Sequence, residues 1–74
     1  MPVTTRYISR PDYQHLSRRF GSMRPRLYVK VGEHPGTVRP WVELRIPVGG
    51  LKNFMDAVGH DEIVVHETLP PRGM

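Results

Sequence analysis

Two kinds of apolar spacing alternate along the chain, and together they predict the order strand, helix, strand, strand, helix, strand. The segment Thr4-Thr5-Arg6-Tyr7-Ile8-Ser9 is rich in β-branched and aromatic residues and stops at Arg10-Pro11, where the residue before proline is pushed to extended geometry. It predicts a first strand. Pro11 suits the first helical position, Asp12 the positive end of a helix, Arg18 and Arg19 the negative end, and Gly21 a left-handed cap, so residues 11–20 read as a short helix. Tyr13, Leu16 and Phe20 share one stripe of that helix and leave His15, Arg18 and Arg19 on the wet side.

Beyond a connector at 22–26, Leu27-Tyr28-Val29-Lys30-Val31 alternates, so Leu27, Val29 and Val31 are expected in the core and Tyr28 and Lys30 on the opposite side. Turn residues fill 32–37, and Trp41-Val42-Glu43-Leu44-Arg45-Ile46 alternates again with Val42, Leu44 and Ile46 inward. The pair predicts an antiparallel hairpin. Pro47-Val48-Gly49-Gly50 breaks the strand, after which Leu51, Phe54, Met55 and Val58 at i, i+3, i+4 and i+7 predict a second helix that Gly59 is placed to end. The last strand is expected over 62–69, with Ile63, Val65 and Leu69 on one side and Pro70-Pro71 forbidding continuation.

This order predicts an α+β fold, a small ferredoxin-like (split βαβ) domain in which two helices cover one face of a four-stranded antiparallel sheet. If the first segment is a loose arm, the alternative is a three-stranded sheet with one main helix and the Arg-rich short helix beside it. In the four-stranded arrangement Tyr28, Lys30, Trp41, Glu43, Arg45, Val64 and His66 occupy the uncovered face.

Length and composition narrow this picture. Seventy-four residues allow one domain with a thin core, spanning 1–74 with flexible ends at 1–3 and 70–74. With no cysteine, neither disulfides nor thiolate metal sites reinforce it, so a second copy or another partner is a natural source of added stability. No apolar run approaches the roughly 18 residues of a membrane span, and the start of the chain lacks the apolar stretch of a secretory signal. A soluble cytoplasmic protein without membrane partners is expected.

Charge is unevenly spread. Eight of the 11 Lys and Arg residues lie between Met1 and Arg39 with only Asp12 and Glu33 as acids, a formal +6, whereas the rest of the chain carries −2. Such a field attracts polyanions or acidic protein surfaces. Arg outnumbers Lys nine to two, and guanidinium forks bind phosphate or carboxylate bidentately. Arg6, Arg10, Arg18, Arg19, Arg24, Arg26, Lys30 and Arg45, with Tyr28 and Trp41 as stacking rings, are the candidate binding residues. The third strand nevertheless lacks the glycine and paired aromatics that mark RNA-recognition modules.

No catalytic constellation is visible. Ser9, Ser17 and Ser22 lack the glycine pattern of a nucleophile elbow, and Gly49-Gly50 lacks the Lys-Ser/Thr of a phosphate loop. His60, Glu62 and His66 have even spacing suited to one strand face, but nothing in the sequence makes three ligands converge, so neither a metal nor a cofactor is expected. The expectation is a non-enzymatic basic module that binds RNA or DNA in the transcription or RNA-handling machinery. The alternative is a protein-binding inhibitor, of the phage or mobile-element type, that docks its Arg-rich surface on an acidic enzyme such as a polymerase.

Overall fold

The computed structural model describes residues 2–36 and 39–70, and within them the chain forms an α+β fold of three antiparallel strands and two helices. Strand β1 runs Val3–Ser9, helix α1 Arg10–Phe20, strand β2 Val29–His34, strand β3 Trp41–Pro47 and helix α2 Leu51–His60, the last preceded by a single 3-10 turn at Val48–Gly50. The sheet order is β1-β3-β2, so β3 is central. Its inward residues Val42, Leu44 and Ile46 are fully buried and meet Ile8 of β1, Leu16 of α1, and Phe54 and Val58 of α2 in one cluster. These are the helical stripes and strand alternations that hydrophobic spacing anticipates.

Helix α1 starts where Ser9 accepts a hydrogen bond from the Asp12 backbone N–H at 3.4 Å and Pro11 occupies the first turn, where its missing N–H costs nothing. Val3, expected in a flexible tail, instead pairs with Pro47, and the Val48 N–H donates to the Pro2 carbonyl at 3.3 Å. The expected tail residues 71–74 and the loop residues 37 and 38 lie outside the described residues.

The four-stranded arrangement is not formed. The segment expected as the last strand meets the outer edge of β1 through one residue pair only, Tyr7 and His66, whose backbones exchange hydrogen bonds of 2.9 and 2.8 Å. The reason lies at the end of α2. There Glu62 takes φ 58°, and the Ile63 N–H reaches back to the Val58 carbonyl at 3.0 Å, a Schellman-type reversal that turns Ile63 into the core. The chain then has only three residues to regain the sheet before it bends at Glu67 and Thr68, leaving Val64 and Leu69 exposed.

Gly21, expected as a left-handed cap of α1, keeps right-handed angles of −64° and −25° and continues the α1 hydrogen-bond pattern to Ser17; the left-handed residue among those described is Glu62, after α2. Helix α2 likewise runs one residue past Gly59. Met55, expected in the α2 stripe, is 42 % exposed, whereas Phe54 and Val58 carry the packing.

The second correction concerns the strand expected over 27–31: β2 begins only at Val29, after Leu27 and Tyr28, and the expected inward and outward sides of the segment from Tyr28 on are reversed. Tyr28 is 8 % exposed and belongs to the core, while Val29 and Val31 are 53 % and 45 % exposed. Register explains it: Val29 stands opposite Arg45 and Lys30 opposite Leu44, so Lys30 shares the helix side with Leu44 and Val29 the open side with Arg45. Burying the large Tyr28 ring against Phe54 at 6.3 Å and Tyr13 at 6.1 Å removes more apolar surface from water than either valine would. The strand also extends through Gly32, Glu33 and His34, which sequence reading assigns to the turn.

Candidate nucleic-acid interface

Helix α1 is tied to the sheet by Leu16, and its neighbouring side chains Tyr13, Ser17 and Phe20 are thereby turned toward the connector and β2. Between them lies a groove of about 340 Å³ walled by Tyr13, Ser17 and Phe20 on one side and by Arg26, Tyr28 and Lys30 on the other. The Lys30 ammonium sits 5.1 Å from the Tyr13 ring centroid. Burial, reinforced by Tyr13, pushes the Tyr28 phenol above its ordinary pKa, against the opposing effects of the Ser17 hydrogen bond and the Arg26 charge. At neutral pH the groove therefore presents two cations and neutral hydroxyls, a set suited to an anionic oxygen ligand.

Of the ten residues singled out from sequence, this groove assembles Arg26, Tyr28 and Lys30. Trp41 and Arg45 lie on the opposite, open face, so the expected union of Tyr28 and Lys30 with Trp41 and Arg45 on one surface is not formed. Several cations are already satisfied by the chain's own carboxylates. Arg6 reaches Glu67 at 3.9 Å, Arg10 binds Glu33 at 2.7 Å, Arg19 lies 3.6 Å from Asp61, and Lys30 is 3.4 Å from Glu33. Among the described residues Arg18, Arg24, Arg26 and Arg45 have no carboxylate within 4.0 Å, and Arg24 donates only to the Met23 carbonyl at 3.0 Å. The basic field thus narrows to the C-terminal half of α1 and the connector beside the groove.

Asp61 joins the two helices. Its side chain is 9 % exposed and its Oδ2 lies 3.5 Å from His15 Nε2 and 3.6 Å from Arg19 Nε, without a hydrogen bond of good geometry. Arg19 also covers the Phe20 ring at 5.4 Å, which keeps it from facing solvent freely. Its role is thereby structural.

Glu33 has its pKa lowered, chiefly by the hydrogen bond from Arg10, with the charges of Arg10 and Lys30 adding to it. A carboxylate whose folded-state pKa is depressed contributes stability that is present above its ordinary value of 4.5 and is lost as pH falls below it. The expected outcome is that Glu33→Gln lowers the urea midpoint slightly at pH 7 and that the difference from wild type disappears as pH falls below 4.5, leaving the variant with the flatter acid profile. An acid profile identical to wild type would contradict the pairing.

The open face joins Trp41, Glu43 and His66, expected there, with Tyr7 and His34, which sequence reading did not select. Tyr7 meets His34 edge-to-face at 5.9 Å, His34 Nε2 lies 2.6 Å from Glu43 Oε1, and Trp41 meets His66 at 5.0 Å. Tyr13, Ser17 and Phe20 were also absent from the selected set. Their spacing at i, i+4 and i+7 was the available signal, but it reads equally as core. His60, Glu62 and His66 do not converge: no group of three or more potential metal ligands is found among the described residues. No helix there is long and apolar enough to cross a membrane.

No known protein family matches the chain, and none of the curated proteins or solved structures compared with it is similar.

Proposed function

We propose that the protein is a small non-enzymatic module that binds the phosphate backbone of nucleic acid through the groove between α1 and β2, acting in cytoplasmic transcription or RNA handling. The observation that carries this reading is the meeting of Arg26 with the Ser17 and Tyr28 hydroxyls in one concavity, flanked in sequence by Arg18 and Arg24, all three arginines without a carboxylate within 4.0 Å among the described residues; Lys30 lines the same groove and would exchange its 3.4 Å contact with Glu33 for phosphate. The Tyr13 ring already carries Lys30 and the Phe20 ring carries Arg19. Stacking on bases is accordingly secondary, and recognition is expected to be tolerant of sequence. The same reading takes the sheet as a split βαβ whose last strand has shrunk to the Tyr7–His66 pair, since that segment, β1, β3 and β2 follow one another across the sheet.

The test is fluorescence anisotropy with single-stranded RNA, single-stranded DNA and duplex DNA at several salt concentrations. With four cations on phosphate, log affinity should fall against log salt with a slope of about −3 on single strands and about −4 on duplex. Arg24→Glu with Arg26→Glu should weaken binding by more than about tenfold and flatten the slope by about 1 to 2. Absence of binding at the lowest salt, or indifference to the double reversal, would overturn the reading and leave the docking of an acidic protein as its replacement.

A further inference from the structure

The two edges of the sheet differ: the β1 edge is engaged at one residue pair, and the β2 edge is open among the described residues. At β1 the backbone of His66 occupies the Tyr7 hydrogen-bonding groups, whereas β2 has β3 on one side and no strand on the other among the described residues. Strand edges of this kind present unpaired N–H and C=O groups. Here the edge also exposes Val29 and Val31.

The bulge in β2 gives this edge an unusual symmetry. Lys30 stands opposite Leu44 and Gly32 opposite Glu43, so Val31 is the extra residue and shares the Glu43 position with Gly32. Glu33 then returns to the helix side opposite Val42, and His34 to the open side opposite Trp41. From Val29 to His34 the sides run open, helix, open, open, helix, open, which is the same pattern read in either direction. A regular six-residue strand lacks this property, because its sides alternate and its two ends face opposite ways.

A strand whose facing pattern is a palindrome can pair antiparallel with its own copy about a two-fold axis between Val31 and Gly32. In that register Lys30 stands opposite Glu33 of the second copy, on the helix side, and this happens twice. Val29 stands opposite His34 of the second copy on the open side. Oppositely charged cross-strand pairs stabilise, and like charges at the same positions repel. Lysine and bulges commonly guard an edge against pairing, but here the Lys30 charge, which meets Glu33 of its own strand at 3.4 Å, is complemented across the edge by a strand that carries an acid three residues on, as this one does. Charge complementarity therefore selects a second copy over an unrelated peptide.

We propose that the protein forms a two-fold homodimer through antiparallel pairing of β2 with β2 of a second copy, giving a continuous six-stranded sheet. The proposal does not depend on the nucleic-acid reading. Sedimentation equilibrium of the full chain without nucleic acid, over a wide range of protein concentrations, should show a monomer–dimer equilibrium. Lys30→Glu alone and Glu33→Lys alone should each weaken it by about tenfold or more, and the double variant carrying both reversals should restore it. Both positions are solvent-accessible, and circular dichroism of each variant establishes that the fold is kept. A wild type that stays monomeric at every concentration, a dimer indifferent to the single reversals, or a double variant that fails to recover would each overturn the proposal.

Discussion

Phe54→Ala is expected to remove a large part of the chain's folding stability and to move its urea midpoint well below that of wild type. Phe54 is fully buried on α2, at the centre of the cluster that joins both helices to β3, and its ring meets Tyr28 edge-to-face at 6.3 Å. Truncating a buried phenylalanine removes its transfer free energy and leaves a cavity, at about 3–5 kcal/mol. A domain of this length has a total stability of roughly 4–11 kcal/mol, and the absence of cysteine removes the cross-links that reinforce other small domains. Urea titration followed by circular dichroism measures the effect. Phe54→Leu is the companion variant: it keeps most of the volume and should lose less than about 1.5 kcal/mol. A Phe54→Ala midpoint equal to wild type would show that the helices are held by something other than this cluster.

Tyr28→Ala is expected to cost about 3 kcal/mol, while Val31→Thr changes stability by less than about 0.5 kcal/mol. The contrast follows from the reversed faces of β2. Tyr28 fills the space between Tyr13 and Phe54, whereas Val31 sits in the bulge with its side chain in solvent. The same alternation read without the structure anticipates the opposite ranking, with Val31 inside and Tyr28 outside. Chemical denaturation of the two variants side by side decides between the orientations. If Val31→Thr proves the more damaging, the register of β2 against β3 is wrong. The measurement also bears on the groove, because Tyr28 forms its floor and its loss would open the cavity into the core.

Helix α2 and strand β3 were legible because their apolar spacing is strict: Phe54 and Val58 lie one turn apart, and Val42, Leu44 and Ile46 alternate without interruption. Helix α1 was legible from its boundary residues, Pro11 and Asp12 at one end and Arg18 and Arg19 at the other. Met55 shows the limit of spacing. A helix stripe can accommodate more apolar positions than the sheet covers, and the outermost one stays in solvent. The last segment shows another limit, since Ile63, Val64 and Val65 have strand propensity, but the reversal after α2 directs the first of them into the core. The candidate binding set was legible as a list of cations and not as a surface. Only distances reveal that Glu33 engages Arg10 and Lys30, that Asp61 stands by Arg19, and that Glu67 approaches Arg6.

What the amino-acid order determined by itself is local: that α1, α2 and β3 form and roughly where, that Leu16, Phe54, Val58, Val42, Leu44 and Ile46 face inward, and that the first half of the chain is strongly positive. Tertiary structure alone decided which side of β2 is buried, that the expected fourth strand is one residue pair, and which arginines remain without a carboxylate among the described residues. The physical reason is range. Periodicity and capping act over three to four residues and are written in neighbouring side chains. Facing depends on a single inserted residue at Val31, and, apart from the local Lys30–Glu33 pair, charge neutralisation depends on contacts between positions 23 to 61 residues apart, which no local pattern records.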